Sequence, residues 1–310
     1  MESSKTESAM NIGMVGLGRM GAALARRLKA GNVRVVAYDM IPAVVDTANR
    51  EGLDGCASLS LLVERLWRPR VVWVMQPDGA PTENAVASLI ELLNPDDVII
   101  DGGNSYYKDS IRRSEDAAKR GIHFVDVGTN GGIHGEKNGF CLTVGGDAEI
   151  VRRLVPLFRV LSPSPDCGWG HVGSVGSGHF VKMVHIGIEY GMMQSLAEGF
   201  SLLGNKSGMG LDLSSIARIW QHGSIIRSWL LDLTADTLSE NPRLGGIAPY
   251  VPDTGEGRWA VSEAVNQGVP MPVITSALME RFSSRDAEGF SKKLISALRN
   301  RFGGHEIKKG

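Results

Sequence analysis

Residues 11–21 read NIGMVGLGRMG. The run NIGMV is a short apolar segment of strand length, and Gly16, Gly18 and Gly21 follow it at G-x-G-x-x-G spacing. GRMGAALARRLKAG then places apolar residues at helical spacing and stops at Gly31. In such a strand–turn–helix unit Gly16 permits the tight turn. Gly18 lets a pyrophosphate approach the backbone, and Gly21 allows close helix packing. The helix N-terminus offers N–H groups and a partial positive charge to phosphate. VRVVAYD is the next strand, and Asp39 at its end stands where an acid can bind both ribose hydroxyls. Its carboxylate would repel an additional 2′-phosphate, and Met40 and Ile41 after it provide no arginine to receive one. The reading is NAD rather than NADP, held by Gly16, Leu17, Gly18, Arg19, Met20, Gly21 and Asp39. Glycine turns also occur in sheets that bind no cofactor. Strand, glycines and acid together favour the dinucleotide.

Outward from this unit, RVVWVMQP, DVIIDGG and HFVDVG repeat the strand signature. PAVVDTANREG, PTENAVASLIELL and YKDSIRRSEDAAKRG are helical, the first with Pro42 near its start and Gly52 after its end. Strands alternating with helices predict βαβ units and a parallel sheet, extended by FCLTVGG and DAEIVRRLVPLF to about residue 160. SPSPDCGWGHVGSVGSG is the best boundary, and almost no strand signal follows it. The expectation is an α/β Rossmann-type N-terminal domain over 10–177 and an all-α C-terminal domain over 178–310. Residues 1–9 read as a disordered tail, and substrate is expected in the cleft between the domains. Met75 and Gln76, closing RVVWVMQP, join the expected cofactor contacts, as does Asn104 of DGGNS. Ligands of open parallel sheets bind beyond the carboxyl ends of strands, where Asn104 and the loop Asn130-Gly131-Gly132 fall. Both loops could equally be plain tight turns.

The 310 residues are 43 % hydrophobic and 22 % charged, ordinary globular composition. With 33 basic and 34 acidic residues the net charge is -1, which argues against general binding to nucleic acid or anionic membranes. Cys56, Cys141 and Cys167 are scattered without a CxxC pair, which suits a reducing, cytoplasmic setting and gives no metal signature. No apolar run approaches the roughly 20 residues of a membrane span, and the first nine residues lack a signal-peptide core. Trp169, Trp220, Trp229 and SIIRSWLLDLT read as core and subunit interface.

Residues 178–191, GHFVKMVHIGIEYG, open a long helix. Lys182, His185, Ile186 and Glu189 share one face by i, i+3, i+4, i+7 spacing in an otherwise apolar stretch. Burying such charges is costly unless they are paired or serve a site. A solvated stripe explains them as well; so does a base and an acid on one rigid helix, where desolvation disfavours the charged form of each.

GLGRMG, DGGNS, the GG loop, GHFVKMVH with GIEYG, and FGGH near the end together resemble the 6-phosphogluconate dehydrogenase family from Asn11 onward. The length resembles its short, single-repeat bacterial branch, whose usual cofactor is NAD. The wider β-hydroxyacid dehydrogenases share the glycine turn and the lysine, but not this helix or the FGGH ending. The resemblance implies that Lys182 is the general base on the C3 hydroxyl, that a β-keto acid loses carbon dioxide without a metal, and that Glu189 protonates the enediol. It assigns His185, Asn104, Asn130, Gly131, Gly132 and Ile186 to the sugar acid. Phosphate contacts fall on Tyr190, Arg258, Arg285, with Arg281 nearby, and the tail pair Arg299 and His305. In the family that tail enters the neighbouring subunit's site, which implies a homodimer or a dimer of dimers. Pentose-phosphate and gluconate metabolism are the implied settings.

Two positions depart from the pattern. The family's Ser-Gly-Gly is Asn130-Gly131-Gly132 here, and His-Asn-Gly is His185-Ile186-Gly187. Ile186 cannot hydrogen bond, and a lost polar partner in a buried site costs about 1–3 kcal/mol. Asn130 carries both donor and acceptor and could compensate. Three readings follow: oxidative decarboxylation of 6-phosphogluconate, the same chemistry on a different 3-hydroxy sugar acid, or a silent NAD-binding protein. The retained Lys182 and Glu189 speak against the third.

Overall fold

The computed structural model describes residues 10–309, so the expected tail over 1–9 lies outside the described residues. The chain runs β1 (Asn11–Val15), α1 (Arg19–Ala30), β2 (Arg34–Tyr38), α2 (Pro42–Arg50), β3 (Asp54–Cys56), α3 (Leu59–Arg65), β4 (Val71–Val74), α4 (Ala80–Leu92), β5 (Val98–Asp101), α5 (Tyr107–Ala118) and β6 (His123–Asn130). A 3-10 turn (Gly132–His134) and α6 (Gly135–Asn138) lead to β7 (Cys141–Gly145), α7 (Ala148–Leu161), β8 (Trp169–Gly173) and the long α8 (Ser177–Gly204). Five helices follow: α9 (Leu213–Trp220), α10 (Trp229–Glu240), α11 (Glu256–Gln267), α12 (Pro272–Arg285) and α13 (Phe290–Gly303). The expected Rossmann-type α/β region followed by helices is what forms.

One eight-stranded sheet has the order β3-β2-β1-β4-β5-β6-β7-β8. After β1 the chain steps outward through β2 and β3, then returns to β4 on the other side of β1, so the order reverses at the β1/β4 boundary. That reversal leaves a crevice beyond the carboxyl ends of both strands. Alternate residues face opposite layers. Met14, Trp73, Ile100 and Val125 join one core with α1 and α7, while Val15, Val72, Val74, Ile99 and Phe124 join another with α3 and α4. With both faces covered, the central strands carry continuous apolar runs, which is why they were legible.

Three features differ from the expectation. The β6–β7 pair is antiparallel, Asp126 opposite Gly145 and Asn130 opposite Cys141. The edge strands β3 and β8 carry no strand signal because DGC and WGHVG are short, glycine-bearing and only partly buried. β8 lies inside the stretch read as a loop. Helix α3, capped by Ser58 accepting the Leu61 N–H at 3.2 Å, is a further element beyond the expectation.

The described chain separates into two compact units, one ending at His185 and one beginning at Ile186, with α8 continuous through that point. In the second unit Phe200, Leu231 and Leu238 form a core over which Trp220 stacks edge-on, 5.5 Å from the Phe200 ring. A smaller cluster of Tyr190, Ala277 and Leu278 is flanked by Ile186, Val261 and Phe282. Trp169 packs beside Phe158 as expected of a core residue. Trp229 is 53 % exposed in the single chain, outside that core. No helix among the described residues is long and apolar enough to cross a membrane, and no group of metal-ligating side chains occurs among them.

Candidate active site

The loop after β1 is built around two steric necessities. Gly16 has φ +92°, and a Cβ there would strike the Met75 carbonyl oxygen and come within 2.9 Å of the Gln76 side-chain nitrogen. A Cβ on Gly21 would collide with the Gly16 carbonyl, so the helix rests directly on the turn. Gly18 is different. It is the exposed N-cap of α1, with φ -60° and ψ -177°, and nothing lies within 4 Å of a Cβ placed on it. The protein itself does not require glycine here, whereas a ligand lying against the backbone would. Helix α1 begins without a side-chain cap and without an acid in its first turn, which keeps its N-terminus electropositive. Arg19 is exposed and Met20 half-buried just beyond.

The Leu17 N–H donates to Asp39 Oδ2 at 2.8 Å, and the Ile41 N–H donates to Oδ1 at 2.9 Å. The acid is thereby anchored to the glycine turn by its own loop. A carboxylate has about four lone-pair sites, so two N–H bonds leave acceptor capacity for a diol. These residues fit a dinucleotide: an uncapped helix N-terminus, open space above Gly18 and an anchored acid.

The neighbouring loops meet this turn. A Cβ on Gly103 would lie 2.8 Å from the Gln76 carbonyl oxygen, so the loops after β4 and β5 touch. The segment Asp101-Gly102-Gly103-Asn104-Ser105 is held from below. Buried Asp101 accepts from Ser105 Oγ at 2.7 Å and from the Gly103 N–H at 3.2 Å. It also pairs with buried Arg113 at 3.2 Å. Arg113 in turn donates to Glu83 at 3.0 Å, and the Arg112 guanidinium, helped by Arg113, lowers the Glu83 carboxyl to about 2. Asn104 sits exposed at the top of this braced loop.

Lys182 is buried, 7 % exposed, and its Nζ donates to the Thr129 carbonyl at 2.6 Å. That puts Nζ at the carboxyl end of β6, beside half-buried Asn130 and the turn of Gly131 (φ +127°) and Gly132 (φ +53°). The first turn of α8 is clamped to the sheet. Buried Asp126 accepts from the Gly176 N–H at 2.7 Å and the His179 N–H at 2.8 Å, and Thr143 Oγ1 donates to the Gly178 carbonyl at 3.0 Å. His179 Nδ1 meets Ser110 Oγ at 2.7 Å. His185 is exposed three residues beyond Lys182.

In the second unit, Glu189 is half-buried on the same helix and Tyr190 is buried. Arg281 lies over the Tyr190 ring, 3.5 Å from its centroid, and donates to the Pro252 carbonyl at 3.0 Å. Arg258 Nε approaches Asp253 Oδ2 at 2.9 Å, and Arg285 reaches the same oxygen at 3.8 Å. Arg258 and Arg285 are therefore brought together, with Arg281 alongside. Ile186 points into the apolar cluster with Tyr190. Arg299 and His305 are exposed near the end of the chain. Sequence reasoning overlooked Asp126, His179 and Asp253. The only sequence signal for them is an acid or imidazole beside a recognised motif.

Residues 11–173 match the NAD binding domain of 6-phosphogluconate dehydrogenase, and residues 178–293 match that enzyme's C-terminal domain. The YqeC protein of Bacillus subtilis is 41 % identical over 300 residues, covering 97 % of this chain and 100 % of its own length. The NAD(+)-dependent, decarboxylating 6-phosphogluconate dehydrogenase of Haloferax volcanii is 41 % identical, covering 96 % of this chain and 98 % of its own. Among solved structures, Plasmodium falciparum 6-phosphogluconate dehydrogenase superposes with a TM-score of 0.81 at 25 % identity, over 97 % of this chain and 66 % of that one. A 3-hydroxyisobutyrate dehydrogenase from Mycobacterium tuberculosis, at 20 % identity and a TM-score of 0.72, shares the fold over 90 % of this chain and 94 % of its own.

Proposed function

Because the chain belongs to the 6-phosphogluconate dehydrogenase family, an oxidoreductase family, we propose that it oxidises 6-phosphogluconate with NAD and releases ribulose 5-phosphate and carbon dioxide. The observation that carries this reading is the buried Lys182 Nζ at the carboxyl end of β6, with Glu189 two turns on along the same helix. When bound, the nicotinamide supplies the hydride acceptor. Gly18 and the N-terminus of α1 hold the pyrophosphate, Asp39 holds the ribose hydroxyls, and Arg19, Met20, Met75, Gln76 and Asn104 border the cofactor. Asp39 favours NAD over NADP by charge repulsion.

Lys182, neutral before the reaction, takes the proton of the C3 hydroxyl as C3 loses hydride. Burial disfavours its charged form, and the Thr129 carbonyl fixes the position of Nζ. The resulting β-keto acid sheds its carboxylate as carbon dioxide. Glu189 then delivers a proton to the enediol carbon. Seven residues of α-helix separate base and acid by about 10 Å along the axis. Asn104, Asn130, Gly131, Gly132 and His185 orient the sugar acid. Tyr190 and the arginines around Asp253 receive the phosphate.

A second reading keeps the chemistry and changes the acid. Ile186 supports it, because its side chain packs with Tyr190 and contributes no hydrogen bond where the family pattern has asparagine. Assembly as a homodimer, with Arg299 and His305 completing the partner's site, is supported by α13. That helix has no buried residue, yet it carries exposed Leu294, Leu298 and Phe302. An apolar stripe of this kind calls for a covering partner.

The test is nicotinamide reduction, followed by absorbance, with 6-phosphogluconate and either NAD or NADP. Fast reduction of NAD with carbon dioxide release is expected. No reduction while NADH still binds would move the assignment to another sugar acid, to be sought among phosphorylated, sulfonated and unmodified aldonates.

A further inference from the structure

The carboxylate of Asp253 is 1 % exposed, whereas the side chains of its partners Arg258 and Arg285 are 59 % and 33 % exposed. A buried acid thus anchors guanidinium groups whose outer parts reach water. Its other oxygen, Oδ1, accepts the Gly255 N–H at 3.1 Å, so the turn at the start of α11 fixes the anchor itself. One residue earlier, the Pro252 carbonyl holds Arg281 over Tyr190. Two consecutive residues therefore gather three guanidinium groups from two helices. One buried carboxylate, Asp253, thus pairs with two guanidinium groups, and the third is held by a neutral carbonyl.

The exposed guanidinium groups gain little for the fold from this pairing, whereas the buried carboxylate depends on its partners. An arginine held in place beforehand, however, loses less freedom when an anion arrives. We propose that Asp253 is a positioning residue, aiming Arg258 and Arg285 as a preset clamp for the substrate's phosphate. The inference rests on the reading that the substrate carries a phosphate monoester. The opposite physical effect is also defined. A carboxylate repels a phosphate dianion, so if charge were its main influence, removing it would tighten binding. The sign of the change in KM decides between the two.

The experiment compares wild type, Asp253→Asn, Arg258→Met/Arg285→Met, and the triple variant. Steady-state kinetics with 6-phosphogluconate and NAD are measured together with thermal midpoints. Asp253→Asn is expected to raise KM for the sugar acid about tenfold, the scale of ordering a rotamer-rich side chain or two. The kcat should stay within about twofold and the KM for NAD should not move. On the Arg258→Met/Arg285→Met background the same change should raise KM less than about twofold, because there is nothing left to aim. An unchanged or lowered KM in Asp253→Asn overturns the inference, as does a tenfold rise that persists without the arginines. If the asparagine variant fails to fold, Asp253→Ser, which keeps an oxygen for the Gly255 N–H, is measured under the same criteria. Wild type that does not turn over 6-phosphogluconate removes the phosphate reading and this inference together. Turnover with an unmoved KM removes the inference alone.

Discussion

Replacing Gly18 by alanine adds a methyl group at the one glycine of the turn that the protein leaves open. Its backbone, φ -60° and ψ -177°, suits any L-residue. Two small effects on stability oppose each other. Restricting the unfolded chain stabilises by about 0.4–1 kcal/mol, and alanine is a poorer N-cap than glycine by roughly 0.5–1 kcal/mol. The net change should stay within about 0.5 kcal/mol, or roughly 2 °C in Tm. Binding should respond far more, because the methyl occupies the approach to the helix N-terminus. A loss of at least about tenfold in NADH affinity, 1.4 kcal/mol, is expected. Gly21→Ala reverses the pattern. Its methyl meets the Gly16 carbonyl, a backbone atom that cannot rotate aside, and overpacking of this kind costs about 1–3 kcal/mol or more. That variant should lose several degrees of Tm before cofactor is considered. Fluorescence titration with NADH and thermal unfolding of both variants are the assays. Unchanged NADH affinity in Gly18→Ala, or an unshifted Tm in Gly21→Ala, would refute the argument that one glycine serves a ligand and the other serves packing.

Lys182→Met should abolish turnover, by at least about a hundredfold, the usual contribution of a general base. Its NADH affinity should stay within about twofold, and wild-type-like turnover would remove lysine from the base role. Asp39→Asn should raise kcat/KM for NADP relative to NAD by about tenfold, since it removes the repelling charge but keeps an oxygen for one backbone N–H; an unmoved ratio, read from parallel initial rates, places the discrimination elsewhere. Glu83 titrates near 2 rather than 4.5, so its pairing with Arg112 and Arg113 stabilises the fold above about pH 4.5 and is lost as pH falls through 2. Glu83→Gln should therefore cost about 1 kcal/mol at pH 7, a figure reduced because the carboxylate is 40 % exposed, and the gap to wild type should shrink toward pH 2 in denaturant titrations.

Elements whose physics is local can be read directly from the chain. The strand–glycine–helix turn, Asp39 after the second strand, and the apolar runs of a sheet covered on both faces are each written within a few residues. So is the stripe of α8, because i, i+3, i+4 and i+7 positions share a face in any α-helix. Which side chains meet across long separations depends instead on the packed fold. β6 and β7 pair antiparallel, and the pleat of β7 says nothing about its partner's direction. Asp126 caps α8 from a strand some fifty residues earlier, at 2.7 and 2.8 Å. Ile186 shares a sequence stripe with Lys182 and Glu189, yet it packs into a cluster built by α11 and α12. Arg258 and Arg285 converge on Asp253 only because α11 and α12 pack side by side. Periodicity records what a residue presents. The contacts that orient a charge depend on how whole elements pack, and that information is spread over the entire chain.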